Sequence, residues 1–410
     1  MRIGIDDTDS PAGMCTTYLG AVLIRRLGDI GIRVREARLV RLNPNVIYKT
    51  RGNAAICLEA EGDAGRAFSV ACACVEELAE FAAEGTNPGV VVAECIPPPD
   101  FYYAALRSFC TIDDACRVLE DAGARYRGYK NRRGLIGATA AVASDLPDRT
   151  YELLAYRKQD RWGTPRQVEK VSLFRAEAAT YPHTWDSVDR ENGVVVCVPH
   201  TPDPVLFGIR GESPAWVMRA REYVVSEEPA CEAVYVTNQG TDAHLLAGSI
   251  GDLVEGHSYL ARGRIAAEPV TGIGGHVSVL LEDREDAVRC MAYEPTKQFR
   301  SIVRQLLPGD EVIVAGSFKG GSINLEKIGI RSLADAAALR PPLCATCGKR
   351  MTSAGKEKGY KCRTCSARAD EPERFFPPRG VQPGWYEVPP TARRHLAKPL
   401  VRGAPDNPVA

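Results

Sequence analysis

Three aspartates in four positions close the short apolar run that opens this chain, and they limit what its first segment can become. Met1-Arg-Ile3-Gly-Ile5-Asp6-Asp7-Thr8-Asp9-Ser10 reads as a strand whose end is too charged for a core, because burying unpaired carboxylates costs too much. The acids belong where a strand hands over to a loop, the edge of an α/β sheet where ligand-binding side chains collect. Closely spaced carboxylate oxygens suit Mg²⁺, which in such a site usually accompanies nucleotide phosphate. A polar turn with a capped helix would account for one acid, since Asp and Ser both cap well. It does not account for three acids followed by Gly13-Met-Cys15-Thr16-Thr17.

From this strand onward, apolar periodicity alternates between two kinds. Helical spacing over 17–27, alternation over 34–42, an apolar run at 54–58, helical spacing over 64–83 and the strand 90–93 predict an α/β unit. Helices are expected around 101–109, 113–122 and 135–143, the last rich in small residues. Strands at 151–156, 194–198 and 231–236 with a helix at 216–221 fit a ferredoxin-like sandwich. Strands at 259–265, 276–281 and 287–291, a helix at 297–306 and strands at 310–317 and 322–330 match an OB-fold in order and size. The predicted architecture is therefore multidomain α/β and α+β: 1–135, 136–255 ferredoxin-like, 256–335 an OB-fold β-barrel, and 340–370 a zinc ribbon. The Pro- and Arg-rich tail, 371–410, is expected to pack loosely or to be partly disordered.

The ribbon rests on spacing. Cys344-x₂-Cys347-x₁₄-Cys362-x₂-Cys365 places two thiolate pairs on tight turns, which gives one Zn²⁺ a closed tetrahedral shell and a structural role. Lys349, Arg350, Lys356, Lys358, Lys361 and Arg363 give that ribbon a basic surface suited to phosphates. The other ten of the 14 cysteines lack framework spacing. Of these, Cys57, Cys72, Cys74, Cys95, Cys197 and Cys290 read as small core residues of a reducing compartment. Cys15, beside Thr16, is the one with a chemical neighbourhood.

Lys+Arg and Asp+Glu each number 52, so net charge neither signals nor excludes a nucleic-acid partner. No run approaches the ~20 apolar residues of a membrane span, and no signal peptide opens the chain. A cytoplasmic protein with neither a membrane nor a DNA partner is expected. Two basic segments can cradle phosphate: Lys49-Thr-Arg51-Gly-Asn53, and the run from Arg125 through Arg132 to Gly134, where Tyr alternates with Arg and Lys. Neither is a P-loop, and the histidines have no metal-ligand spacing.

Taken in order, these motifs resemble a family. Asp6-Asp7-Thr8-Asp9-Ser10 with Gly13-Met-Cys-Thr16-Thr17, Lys49-Thr-Arg51-Gly-Asn53, Thr86-Asn-Pro-Gly89, Gly134-Leu-Ile-Gly-Ala138, Trp162-Gly-Thr-Pro-Arg166 and Thr237-Asn-Gln-Gly-Thr-Asp242 look like the archaeal isoleucine-tRNA 2-agmatinylcytidine synthetases. The resemblance runs over roughly 1–370. It implies an ATP-dependent ligase that joins agmatine to C2 of the wobble cytidine of isoleucine tRNA with a CAU anticodon, so that the tRNA reads AUA.

In that family a kinase-like N-terminal domain splits ATP to AMP and pyrophosphate. It activates the C2 oxygen as a phosphate ester and phosphorylates one of its own threonines, which Thr16 matches here. Asp6, Asp7 and Asp9 match the family's aspartates and are expected to hold Mg²⁺ and phosphate. Lys49, Arg51, Asn53, Arg132 and Gly134 are expected to bind ATP or its phosphates. Agmatine, a dication, calls for carboxylates near both ends; Asp160 and Asp242, from the polar clusters at 156–166 and 237–244, are the candidates. Two other readings stay separable. A non-catalytic tRNA-binding protein would turn over no ATP, and an autokinase or ATPase with another acceptor would leave agmatine out of tRNA.

Overall fold

The structure is a computed structural model that describes residues 1–50, 52–335, 338–355, 358–375 and 378–405. The strands and helices β1 (Arg2–Asp6), α1 (Thr16–Asp29), β2 (Arg33–Arg41), β3 (Ala54–Glu61), α2 (Ala64–Leu78) and β4 (Gly89–Ala93) follow the predicted alternation. After them come α3 (Asp100–Arg107), α4 (Ile112–Asp121), β5 (Arg125–Gly128) and α5 (Gly134–Ala143). β1 is central, paired antiparallel with β3 on one side and β4 on the other, so Ile3 and Ile5 are fully buried. Leu19, Leu23 and Leu27 of α1 and Ala67, Ala71 and Val75 of α2 cover one face. The Asp63 carboxylate starts α2 by accepting from the Arg66 amide at 2.7 Å.

α5 covers the other face at backbone contact distance, which is why its sequence is Gly-Leu-Ile-Gly-Ala-Thr-Ala-Ala-Val-Ala. A Cβ on Gly4 of β1 would stand 2.4 Å from the Ala138 carbonyl oxygen, and one on Gly89 of β4 would stand 2.3 Å from the Gly134 carbonyl carbon. Glycine is therefore required on the strand side of this contact. By packing, α5 is a layer of the N-terminal sheet, although it follows residue 131 and leads into the next segment.

That segment contains β6 (Thr150–Tyr156), α6 (Lys170–Thr180), β7 (Thr184–Trp185), β8 (Val188–Asp189), β9 (Val194–Val195), β10 (Val205–Gly211), α7 (Pro214–Arg221) and β11 (Cys231–Thr237). Apart from β8 and β9, which pair with each other, its strands do not form a separate sheet. β11 pairs in parallel with β2, Val236 opposite Arg38, and one nine-stranded sheet runs β5-β4-β1-β3-β2-β11-β6-β10-β7.

Beyond it lie β12 (Leu245–Ala247), β13 (Ser258–Ile265), β14 (Val270–Thr271), β15 (Val277–Asp283), β16 (Asp286–Ala292), α8 (Phe299–Val303), β17 (Glu311–Lys319) and β18 (Ser322–Ser332). Five of these close a barrel in the cyclic order β13-β15-β16-β18-β17, with β16 and β18 parallel. Val277, Leu281, Val303, Val312 and Ile328 fill it. α8 plugs the barrel but is shorter than its apolar spacing predicts. The cysteine-bearing segment forms a three-stranded unit from Thr352–Ser353, Tyr360–Lys361 and Arg368–Ala369. No helix among the described residues is long and apolar enough to cross a membrane.

The tail does not pack loosely over its described length. Gly384–Glu387 adds an antiparallel strand to β18, and the chain then returns to the large sheet. Arg393 pairs with Asp186 and with Glu387, the latter at 2.7 Å. His395 accepts from the Gly240 amide through its carbonyl at 2.8 Å. Arg402 pairs with Glu212 at 2.6 Å and Asp148 at 3.0 Å. Composition suggested disorder because Pro and Arg seldom form a core. Here the arginines find carboxylates of the large sheet and of the strap itself, and the prolines fit an extended strap that needs few ladder bonds.

Candidate active site

The carboxyl end of β1 opens on a cavity of about 540 Å³ between the two halves of the large sheet, a size typical of small-molecule sites. Asp6, Asp7 and Asp9 line it together with Thr16 at the start of α1 and Arg133 and Gly137 at the start of α5. Two helix N-termini thus converge on the acids, and N-termini favour anions, phosphate included. Asp7 holds a left-handed backbone, φ 58°, and so does Met14 at φ 58°, which marks the loop between β1 and α1 as a shaped one. The Arg133 guanidinium donates to Asp7 Oδ2 at 2.8 Å and to the Gly85 carbonyl at 2.6 Å. Thr8 donates its hydroxyl to that of Thr16 at 3.0 Å.

Asp6 is reachable from the cavity yet closely surrounded by protein. That enclosure pushes its pKa well above the ordinary carboxylate range, and the charges of Asp7 and Asp9 push it further. Burial also raises Asp7, against the pull of Arg133. Acids crowded in this way favour a cation, and hard carboxylate oxygens suit Mg²⁺.

The opposite wall comes from β6, β10, the 196–205 loop and the tail: Glu152, Cys197, Thr201, Asp203, Arg210 and His395. Arg210 Nε contacts Glu152 at 3.3 Å, and its Nη2 donates to His395 Nδ1 at 2.7 Å. Burial, then Arg41 and Arg210, hold the His395 imidazole well below its usual pKa, so it is neutral and carries its proton on Nε2. Burial likewise pushes Arg41 down to about 10, with Glu152 pulling the other way. Arg166, the last residue of the Trp162–Arg166 motif, builds the 196–205 wall. Its guanidinium donates to the carbonyls of Val205 at 2.7 Å, and of Pro199, Thr201 and Asp203 at 2.8 Å each.

Several sequence candidates meet here and others do not. Lys49 and Asn53 line the cavity beside the three aspartates and Thr16; Lys49 Nζ donates to the carbonyls of Pro44 and Val46 at 2.7 Å. Arg51 lies outside the described residues, as does Lys356 of the ribbon. Arg132 is exposed and turns to Cys116 Sγ at 3.2 Å, and its neighbour Arg133 enters the site. Gly134 is a contact point between backbones, and its amide donates to the Asn87 carbonyl at 2.9 Å.

Asp160 is exposed on a turn away from the cavity. Asp242 is occupied by Lys327 at 2.7 Å and the Lys398 amide at 2.7 Å. Cys95 is exposed and is not the core residue expected, whereas Cys197 packs against the core of the second sheet half and also lines the cavity. Glu152 and Arg210 carried one usable signal, a charged residue at an inward position of an apolar strand. His395 carried none.

At the ribbon, the sulfurs of Cys344, Cys347, Cys362 and Cys365 all lie within 4.8 Å of one another. A tetrahedral shell with Zn–S of ~2.3 Å needs S···S near ~3.8 Å. Cys347 and Cys365 stand at 3.7 Å and Cys344 and Cys365 at 3.3 Å, so the four thiols fit a structural Zn²⁺.

Family models described as the TiaS TCKD domain, the TiaS FLD domain and the TiaS C-terminal zinc ribbon domain match residues 2–131, 132–244 and 341–381. The chain is 53% identical to the isoleucine-tRNA 2-agmatinylcytidine synthetase TiaS of Methanocorpusculum labreanum, over 98% of this chain and 97% of that relative. It is similar to TiaS as solved in complex with its isoleucine tRNA and ATP, with TM-score 0.88, 44% identity, and 98% and 97% of the two chains covered. For TiaS in complex with the same tRNA, AMPCPP and agmatine the TM-score is 0.87 and the identity 41%, over 98% and 96% of the chains. The chain belongs to the TiaS family of isoleucine-tRNA 2-agmatinylcytidine synthetases.

Proposed function

We propose that this protein uses ATP to ligate agmatine to C2 of the wobble cytidine of isoleucine tRNA with a CAU anticodon, forming 2-agmatinylcytidine. The observation that carries this reading is one cavity with two chemistries. One wall presents an acid cluster at two helix N-termini; the other presents carboxylates and arginines from a second sheet half.

A C2 carbonyl oxygen leaves poorly. Phosphorylation converts it to an ester whose oxygen departs with the C–O bond electrons as the agmatine nitrogen bonds to C2. Phosphoryl transfer depends mainly on positioning and on neutralising spread negative charge. Mg²⁺ bound by Asp6, Asp7 and Asp9 would supply that neutralisation, and Lys49, with Arg51, would take phosphate oxygens beside Asn53. Arg133 steadies Asp7, and Thr16, which lines the cavity at the start of α1, would accept a phosphoryl group. On the second wall Glu152 and Asp203, which line the cavity as Asp160 and Asp242 do not, would offer carboxylates to an agmatine dication, Glu152 beside its partner Arg210 and Asp203 beside Thr201 and the Val205 amide.

The remaining segments hold the RNA. A barrel with cyclic order 1-2-3-5-4 and a helix between its third and fourth strands has OB-fold topology, which suits oligonucleotides. The order β11-β6-β10-β7 is that of a ferredoxin-like sandwich. We read 1–135 as the kinase-like unit, joined by α5, and 136–255 as the ferredoxin-like unit. The OB unit is then 256–335, the ribbon 340–370 and the strap 371–410, in a cytoplasmic enzyme.

Nucleoside mass spectrometry tests the reaction. A CAU-anticodon isoleucine tRNA transcript incubated with the protein, ATP, Mg²⁺ and agmatine gains 2-agmatinylcytidine, and a GAU transcript gains nothing. ATP consumption without that nucleoside would leave an ATPase with another acceptor.

A further inference from the structure

The base that reacts in this cavity is stacked in the anticodon loop of free tRNA, and something must hold its neighbours while it is out. This inference rests on the functional reading above. The loop between β2 and β3 ends at the cavity mouth and is built in two parts. Its base is fixed: Asn43 and Asn45 are buried, and both side-chain amides donate to the Gly256 carbonyl, at 3.1 and 3.0 Å. Asn45 also donates to Ser258 at 3.3 Å, and Arg394 of the strap reaches Asn45 Oδ1 at 3.2 Å. The catalytic body, the barrel and the tail all grip this base.

The tip does the opposite. Ile47 is 69% exposed and Tyr48 66% exposed, adjacent large apolar side chains standing in water on an anchored support. Tyr48 nonetheless lines the cavity mouth, with the Arg133 guanidinium carbon 5.6 Å from its ring centroid. The surroundings are cationic. Lys49 follows Tyr48, Arg394 reaches Asn45 while also facing Glu326 at 3.5 Å, and exposed Lys319 follows Phe318, whose carbonyl accepts from the Gly256 amide at 2.9 Å; partial burial and then Arg394 and Lys319 push Lys49 below its usual pKa. Phe109, 55% exposed, also lines the cavity and packs on Gly256. An exposed aromatic on a rigid support inside a basic collar is how proteins hold single-stranded nucleic acid, by ring stacking with phosphates nearby.

We propose that Tyr48 stacks on the adenine 3′ to the reacting cytidine in the CAU anticodon, with Lys319 and Arg394 holding flanking phosphates, so that the cytidine stays extruded into the cavity. Tyr48 is a positioning residue in this account; it touches no reacting atom. Tyr48→Ala raises KM for the tRNA on the order of tenfold with a small effect on KM for agmatine, and Tyr48→Phe restores the wild-type value. A transcript with 2-aminopurine in place of that adenine gives the direct readout. Its fluorescence is quenched on binding wild type and Tyr48→Phe, and stays bright on binding Tyr48→Ala at saturating protein.

Unchanged quenching and KM in Tyr48→Ala would overturn the proposal, as would a defect that Phe does not repair. The fluorescence arm needs neither ATP nor agmatine. If wild type binds and quenches but never incorporates agmatine, the ligase reading fails and the stacking assignment stands.

Discussion

Asp6 and Gly137 are in such close contact that a Cβ on Gly137 would lie 1.8 Å from Asp6 Oδ2 and 3.1 Å from Asp6 Cβ. The carboxylate at the end of β1 occupies the volume that any other residue at the start of α5 would take. Gly137→Ala therefore turns Asp6 out of the acid cluster. Since misplacing a catalytic group by about 1 Å can lower rates ~100-fold, steady-state assays should show a loss of that order in ATP-dependent activity. The melting temperature should fall by only a few degrees.

The raised pKa of Asp6 makes the acid cluster a source of instability when no cation is bound. Because the folded value lies above the ordinary range near ~4, this group's favourable contribution is complete below that range. It is lost as pH rises through the folded pKa. Metal-free Asp6→Asn should melt above wild type at about pH 8 and level with it near about pH 4. Adding Mg²⁺ and ATP should narrow the gap by stabilising wild type alone. Thermal denaturation at both pH values reads the difference.

Glu177 offers a second pH test, away from the cavity. It lies on the buried face of α6, and its Oε2 accepts from the amides of Ser187 and Val188, both at 2.9 Å. Burial pushes its pKa up to about 7 despite those bonds and Arg190. The stability it contributes is present below about pH 4.5 and is lost as pH rises through that folded value. Full ionisation costs roughly 3 kcal/mol. Glu177→Gln keeps an acceptor oxygen and cannot ionise, so its melting temperature should exceed wild type above neutrality and match it in mild acid.

Arg166 spans four carbonyls of the 196–205 wall. A lysine cannot reproduce a planar fork with donors in fixed directions. Arg166→Lys and Arg166→Ala should both raise KM for agmatine about tenfold or more, leaving tRNA affinity close to wild type by filter binding. Equal loss on both substrates would mean the wall serves the RNA.

The ribbon has almost no core beyond Cys344, Met351 and Cys362, so its fold depends on metal. Zinc analysis should find about one equivalent per chain, and Cys347→Ser should lose it. That variant should bind tRNA more weakly while the large sheet melts as in wild type.

Much of this fold was legible because local periodicity carried it: the alternation through β4, the five barrel strands and the cysteine spacing all show in the sequence. α6 was not, because its buried face includes Ser172, Glu177 and Thr180 and so presents no apolar stripe. The continuity of the large sheet through Val236 and Arg38 was not legible either, since no short-range signal specifies a pairing between strands so far apart in the chain. The site divides along the same line. Asp6, Asp7, Asp9, Thr16 and Lys49 announce themselves by residue type and clustering. Glu152, Arg210 and His395 reach the cavity only through sheet register and the path of the strap. Arg133 differs from the expected Arg132 by one position, because Arg132 takes a left-handed backbone at φ 70° and points its side chain away.

The central claim is that the acid cluster uses ATP to drive agmatine onto tRNA. The most direct test compares wild type with Asp7→Ala for incorporation of radiolabelled agmatine into a CAU-anticodon isoleucine tRNA transcript, with and without ATP, while following ATP consumption. The account predicts ATP-dependent label with wild type and loss of both label and ATP consumption with Asp7→Ala. Label retained by Asp7→Ala, or label that forms without ATP, would contradict it.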